Sequence, residues 1–284
     1  MLYLILALFF SSCIFFTFKY FDKYGIHILP AITVGYLMAA AFGYFSRGQS
    51  ATVSSMVNQP WFLMAVVTGM TFILTFFVFA ISTQKVGVAM TVVSSKMSIV
   101  LSVAVGFILL AEPMGLTQIL GIAAALVAFY MTNMGRGKGN VDKKYLYLPM
   151  LIFFGTGAND SLMKISGVYY ADRDAIQFLT VTFFTAFIIG LLILLYQAFR
   201  NVLKITWKDI LAGVLISIFN WFSTYFFIKG LDILPISVFV PVFNAALVFI
   251  AALSGYFFFE EKLSVVNRLG IILAVIAIVA MTFS

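Results

Sequence analysis

Residues 106–122 read GFILLAEPMGLTQILGI, and residues 255–271 read GYFFFEEKLSVVNRLGI. Both stretches run from a glycine through large apolar residues to a glutamate in a short polar turn, then into a helix bearing Leu-Gly-Ile. They stand 149 positions apart, and at that offset the chain registers on itself without a gap from the third apolar run onward. Thr75 meets Thr224, Phe77 meets Phe226, Glu112 meets Glu261, and Ala125 and Ala128 meet Ala274 and Ala277. The chain is therefore read as two copies of one helical unit.

The solvent of that unit follows from composition. Hydrophobic residues make up 63% of the chain and charged residues 10%, with a mean hydropathy of +1.12, which excludes a soluble globule. A bilayer core is about 30 Å thick and takes roughly 20 apolar residues per helical crossing. Only helices and closed barrels satisfy the backbone there, and the apolar runs are too long and unalternating for barrel strands. Ten spans are predicted: Leu2–Phe18, His27–Phe45, Trp61–Ser82, Val86–Leu110, Leu116–Asn133, Leu146–Ile165, Ala175–Phe199, Ile210–Lys229, Pro235–Phe259 and Val265–Phe283. The fold class is an all-α integral membrane protein. Five spans per copy is an odd number, so the second copy enters the membrane from the opposite face. This gives two inverted five-helix repeats, residues 1–133 and 146–284, joined by a basic linker at 134–145. Inverted repeats of this kind build many secondary transporters around a site near the bilayer midplane.

The net charge of +7 is read as helix ends and loops meeting lipid headgroups, not as nucleic-acid binding. One cysteine, Cys13, excludes an internal disulfide, and one histidine, His27, falls at a span edge. The N-terminal run has no basic segment or cleavage site and is read as a retained first span. No phosphate-binding glycine loop, nucleotide motif or metal-ligand spacing is present, so no cofactor and no enzymatic activity are expected. Loops after the odd-numbered spans carry most of the cations, including Lys19, Lys23, Lys85, Arg136, Lys143, Arg200, Lys204 and Arg268. By the positive-inside rule both termini then face away from the cytoplasm.

Glu112 precedes Pro113 and Glu261 precedes Lys262, each ahead of a helix, and both are expected to cap that following helix. Gly121, Ala125 and Ala128 share a face of span five; Gly270, Ala274 and Ala277 share one of span ten; Gly35, Ala39 and Gly43 share one of span two. Small residues at this spacing let helices approach closely in lipid. Packing within the monomer and a dimer contact both remain open, so monomer and homodimer are both compatible.

The ten spans, the inverted repeat and the glutamates after spans four and nine resemble the drug/metabolite transporter superfamily, EamA-like branch. The resemblance implies an alternating-access carrier in the plasma (inner) membrane, its cavity lined by spans one, three, four, six, eight and nine. It also implies cytoplasmic termini, opposite to the charge count. The run Leu162-Met163-Lys164-Ile165-Ser166 is similar to the end of the first helix of small multidrug resistance proteins. Those relatives carry a proton- and drug-binding glutamate eight residues before the lysine. Here that position is Thr156, and its counterpart before Lys19 is Ser11, so both halves lack the acid.

Lys96 lies near the middle of span four, where a cation costs at least about 2.5–3.5 kcal/mol on insertion scales. Its position is similar to the span-four lysine of plastid triose-phosphate translocators, which contacts phosphate. The basic pair those relatives add in span nine is replaced by Phe243-Asn244-Ala245. Lys96 is thus either a contact for a substrate anion or half of an ion pair with Asp160 of span six. Asp160 could equally pair with Lys164 one turn along, accept a substrate ammonium or relay a proton. Thr91, Ser95, Ser98 and Ser102 form a stripe on span four at about 100° per residue, with Lys96 off its centre. Asn159, Asn220, Trp221, Tyr225, Asn244, Ser95 and Thr75 complete the candidate site. Pro235 and Pro241 mark an expected bend in span nine.

The function expected is secondary transport of a small organic metabolite, amino-acid-like or otherwise zwitterionic, with a coupling proton or counter-substrate and the lipid bilayer as partners. Transport of an anion such as a sugar phosphate, or of a cationic drug, is the alternative. A non-transporting membrane binding or accessory protein is the alternative of another class.

Overall fold

The computed structural model describes residues 2–46, 56–111, 115–134, 143–170, 175–202, 204–231, 233, 236–261 and 263–282. Among them the secondary structure is helical, and the helices follow the predicted spans. Span one is Leu2–Tyr24, two Ile28–Phe45, three Phe62–Lys85, five Leu116–Met134, six Tyr147–Tyr169 and seven Ala175–Phe199. Span eight is Trp207–Leu231, nine Ile236–Phe257 and ten Val265–Thr282. Span four is two helices, Val88–Met97 and Ile99–Leu110, parted at Ser98. Seven of these spans are long and apolar enough to cross a membrane by length and composition, and two more, in spans nine and ten, carry shorter apolar segments. Span six is as long but more polar, carrying Asn159, Asp160 and Lys164.

The expected interruption of span nine at Pro241 is corrected. Its helix runs through Pro241 without interruption, while Pro235 lies outside the described residues. The break falls in span four, where hydroxyls compete for backbone carbonyls. Ser94 Oγ donates to Met90 O at 2.8 Å and Ser98 Oγ to Ser95 O at 2.5 Å. Such back-bonding weakens the helical ladder and bends helices, and the next turn restarts with Leu101 N–H on Ser98 O.

The packing obeys an exchange of the two halves. Span one packs on eight as six packs on three, and two packs on eight as seven packs on three. Spans two and seven, four and nine, and five and ten each pack on their own counterparts. The turn that opened the sequence reading obeys it too. Ala111 and Glu260, 149 positions apart, both adopt left-handed backbone, at φ 52° and 51°.

Small residues decide where helices come closest. Ala125, Ala128, Ala274 and Ala277 are fully buried in one core between spans five and ten. A Cβ on Gly270 would stand 2.8 Å from the Thr132 backbone nitrogen. Asn267 donates through Nδ2 to the Thr132 carbonyl at 2.5 Å. These faces serve packing within the chain. On the other flank, Gly35 of span two meets Gly213 of span eight, where a Cβ on Gly213 would reach within 2.4 Å of the Ala31 carbonyl oxygen. Ser217 Oγ adds a 2.8 Å bond to the Gly35 carbonyl.

Candidate functional site

The break at Ser98 leaves Ser95 and Lys96 at the end of the first half of span four, beside a cavity of about 300 Å³ in the middle of the bundle. Five spans line it. Span one gives Ser11, Ile14 and Phe15, and span three gives Phe76 and Phe79. Span four gives Val92, Ser95 and Lys96, span eight Ser223, Thr224 and Phe227, and span nine Phe243 and Leu247. The wall is mostly apolar and aromatic, with hydroxyls and one ammonium converging on it. Lys96 Nζ lies 5.9 Å from the centroid of the Phe243 ring, a distance at which ring and cation attract. Ser11 and Ser223 are hydrogen-bonded to each other across spans one and eight. Ser95 Oγ accepts a 3.4 Å contact from Thr156 of span six.

Two sequence comparisons bear on this geometry. The EamA-like transporter family matches residues 144–283. An uncharacterized protein of Haemophilus influenzae is 24% identical over 291 residues, covering 97% of this chain and 95% of its own. The second half of the chain thus matches the EamA-like transporter family. Proteins of that family move small molecules across membranes and are not enzymes, so the cavity is read as a binding site rather than a reaction centre.

Five of the six spans that the resemblance implied for an EamA-like cavity contribute to the lining, and span six reaches it through Thr156. Ser95 and Lys96 both face the cavity, although their spacing on a regular helix set them against each other. Of the rest of the stripe expected beside them, Thr91 is buried and bonded to Ser82 of span three at 2.7 Å, Ser98 is fully buried, and the Ser102 hydroxyl oxygen is buried without a hydrogen-bond partner. Asp160 of span six is not among the residues lining the cavity; it lies within electrostatic reach of Lys96 and faces Ser98. Among the described residues no ion pair within 4 Å joins Asp160 to Lys96.

The remaining candidates are placed around the cavity rather than on its wall. Asn159 is buried with Oδ1 unpaired. Thr75 packs against Gly155, where a Cβ would come within 2.6 Å of its hydroxyl. Trp221 stacks at a tilt on Phe42 of span two. Tyr225 points outward, 48% exposed. Asn220 and Asn244 are half-buried. Missing from the sequence reading were the rings of Phe15, Phe76, Phe79 and Phe227. Their positions carry no signal in a chain with 33 phenylalanines.

One sequence expectation is overturned in detail. Glu261 does not cap span ten. That helix start is closed by Ser264 and Asn267: Asn267 Oδ1 accepts the Ser264 N–H at 3.0 Å, and Ser264 Oγ accepts the Asn267 N–H at 3.1 Å. This is a reciprocal capping box. Glu261 instead crosses to the other half. Its Oε1 accepts the Val88 N–H at 2.7 Å, Oε2 accepts the Ala89 N–H at 3.3 Å, and Lys19 Nζ lies 3.2 Å away. Glu112 and Pro113 lie outside the described residues. The same end of the bundle holds a second set of polar ties. Asp209, fully buried at the start of span eight, accepts the His27 and Thr206 N–H groups at 2.7 Å each. It also lies 3.1 Å from His27 Nδ1.

A larger cleft of about 400 Å³ opens between spans two, three and seven, beside Leu37, Ala40, Phe62 and Phe184. Its wall is almost wholly apolar, and the Thr180 hydroxyl there bonds its own helix at Ile176 O. This cleft offers no charge to a polar solute.

Proposed function

We propose that the protein is a secondary transporter of the plasma membrane that carries a small organic metabolite by alternating access between two inverted five-helix repeats. The exchange-related helix packing supports the repeat, and the family match over residues 144–283, close to one whole copy, supports its boundaries. The observation that carries the substrate reading is the single ammonium of Lys96 among hydroxyls and aromatic rings in the central cavity. A substrate carboxylate binds Lys96 with help from Ser95, and its apolar body lies against Phe76, Phe79, Phe227 and Phe243. Asp160, off the cavity wall but in electrostatic reach of Lys96, takes a substrate ammonium. An amino-acid-like zwitterion fits both charges.

A simple organic anion is the second reading, favoured because no carboxylate stands among the described lining residues. Cationic drugs fit least: Ser11 and Thr156 hold the positions of the multidrug-relative acids, and Lys96 repels a cation. A ligand that binds the folded state raises its apparent stability by RT ln(1 + [L]/Kd). Thermal unfolding of the purified protein against amino acids, the matching deaminated acids and organic cations therefore separates the readings. Stabilisation by amino acids over their deaminated analogues supports the zwitterion. Equal stabilisation by both supports the anion, and stabilisation by cations alone rejects both.

A further inference from the structure

One helical turn beyond Phe15, the last residue that span one gives to the cavity wall, Lys19 meets Glu261. We propose that Glu261 is the latch of a gate that closes this end of the cavity and opens when the cavity faces that side of the membrane. The proposal rests on the carrier reading, which requires a path to each face in turn.

Three cavity-lining elements converge on one carboxylate. Lys19 belongs to the last turns of span one, Val88 and Ala89 open span four, and Glu261 follows span nine. With ten alternating spans, the end of span one, the start of span four and the turn after span nine all lie at the same membrane face. The latch sits outward of the cavity on every element. Lys19 is one helical turn beyond Phe15, and Val88 is about 10 Å along the helix before Ser95 at 1.5 Å per residue. Aromatic rings flank the latch. The Phe259 ring is 5.7 Å from Lys19 Nζ, 5.7 Å from the Phe16 ring and 5.6 Å from the Tyr20 ring.

The backbone is shaped to receive the carboxylate. A Cβ on Gly87 would stand 2.8 Å from it and one on Gly255 2.5 Å. Gly87 also holds φ +123°, a conformation that L side chains rarely adopt. Two glycines from different halves thus admit Glu261 where a side chain would exclude it. A static cap for span four needs no partner 173 residues away. The contact instead ties elements that an alternating-access cycle must separate, through an ion pair and hydrogen bonds that water can replace.

The test uses thiol access to Ile14, a cavity residue below the latch, as Ile14→Cys in a Cys13→Ser chain. Labelling by a membrane-impermeant maleimide is measured in sealed vesicles of each orientation, with thermal unfolding in parallel to show that each variant is folded. It needs no substrate. Glu261→Gln is expected to raise labelling from the Lys19 face about fivefold or more, and to lower it from the opposite face, as the population shifts. Lys19→Gln leaves the helix cap in place and removes only the ion pair, so it is expected to shift access in the same direction. If Glu261→Gln does not accumulate, Lys19→Gln decides alone. Unchanged access from the Lys19 face in a folded variant overturns the latch, while transport of substrate remains a separate test of the carrier reading.

Discussion

Lys96 was legible in the sequence because a cation in the middle of an apolar span has few uses. The structure narrows those uses: it lies on the cavity wall, against Phe243, with no ion pair within 4 Å to Asp160 among the described residues. Lys96→Ala should therefore abolish transport while leaving the thermal unfolding of the purified protein nearly unchanged. A double-mutant cycle with Asp160→Ala should give a stability coupling below about 0.5 kcal/mol, as for residues without a shared contact. A coupling of several times that value would mean that the two charges form a structural pair. Asp209 is the opposite case. It is fully buried and accepts two backbone N–H bonds, one of them reaching back to Thr206 at the helix start. Removing it strands those donors, so Asp209→Ala should destabilise the protein by about 2–3 kcal/mol, read as a lower unfolding midpoint, with no specific loss of substrate affinity. The sequence placed His27 at a span edge but contained no sign of its partner, since Asp209 lies 182 residues away.

At the scale of elements, the sequence reading succeeded where a periodic signal exists and failed where contact partners decide. The small faces of spans two, five and ten follow from four-residue spacing, and each meets a close-packed neighbour. Gly213 gives the sharpest check. An added methyl would press into the Ala31 carbonyl at 2.4 Å, so Gly213→Ala should cost about 1–3 kcal/mol, as overpacking does elsewhere. Gly115→Ala, whose Cβ would meet only Thr117 Oγ1 at 3.7 Å, is the control and should leave the unfolding midpoint in place. The helix break falls in span four rather than at Pro241, although proline is a stronger local signal than serine. Pro241 is carried within a continuous helix, whereas the hydroxyls of Ser94 and Ser98 draw on carbonyls of span four. Glu261 was read as a cap and is one, but of a helix in the other half. Ser264 and Asn267 already satisfy the start of span ten, which leaves its carboxylate free to cross.

At the scale of the molecule, the two copies are interleaved rather than set side by side. Spans one and two pack on eight, three packs on six and seven, and four packs on nine, so the main interfaces join the halves. The central cavity is built from both copies, with spans one, three and four facing spans eight and nine. In the proposed carrier, two near-equivalent packings of such an assembly expose that cavity to one face or the other, and Lys96 at its wall is the proposed handle for the carried solute. The most direct measurement is counterflow in proteoliposomes, with an amino acid that stabilises the purified protein loaded inside at high concentration and labelled at trace level outside. The account predicts saturable accumulation of label driven by the internal solute, and its loss in Lys96→Ala. Label uptake that is indifferent to the internal solute, or counterflow at the full rate in Lys96→Ala, would contradict it.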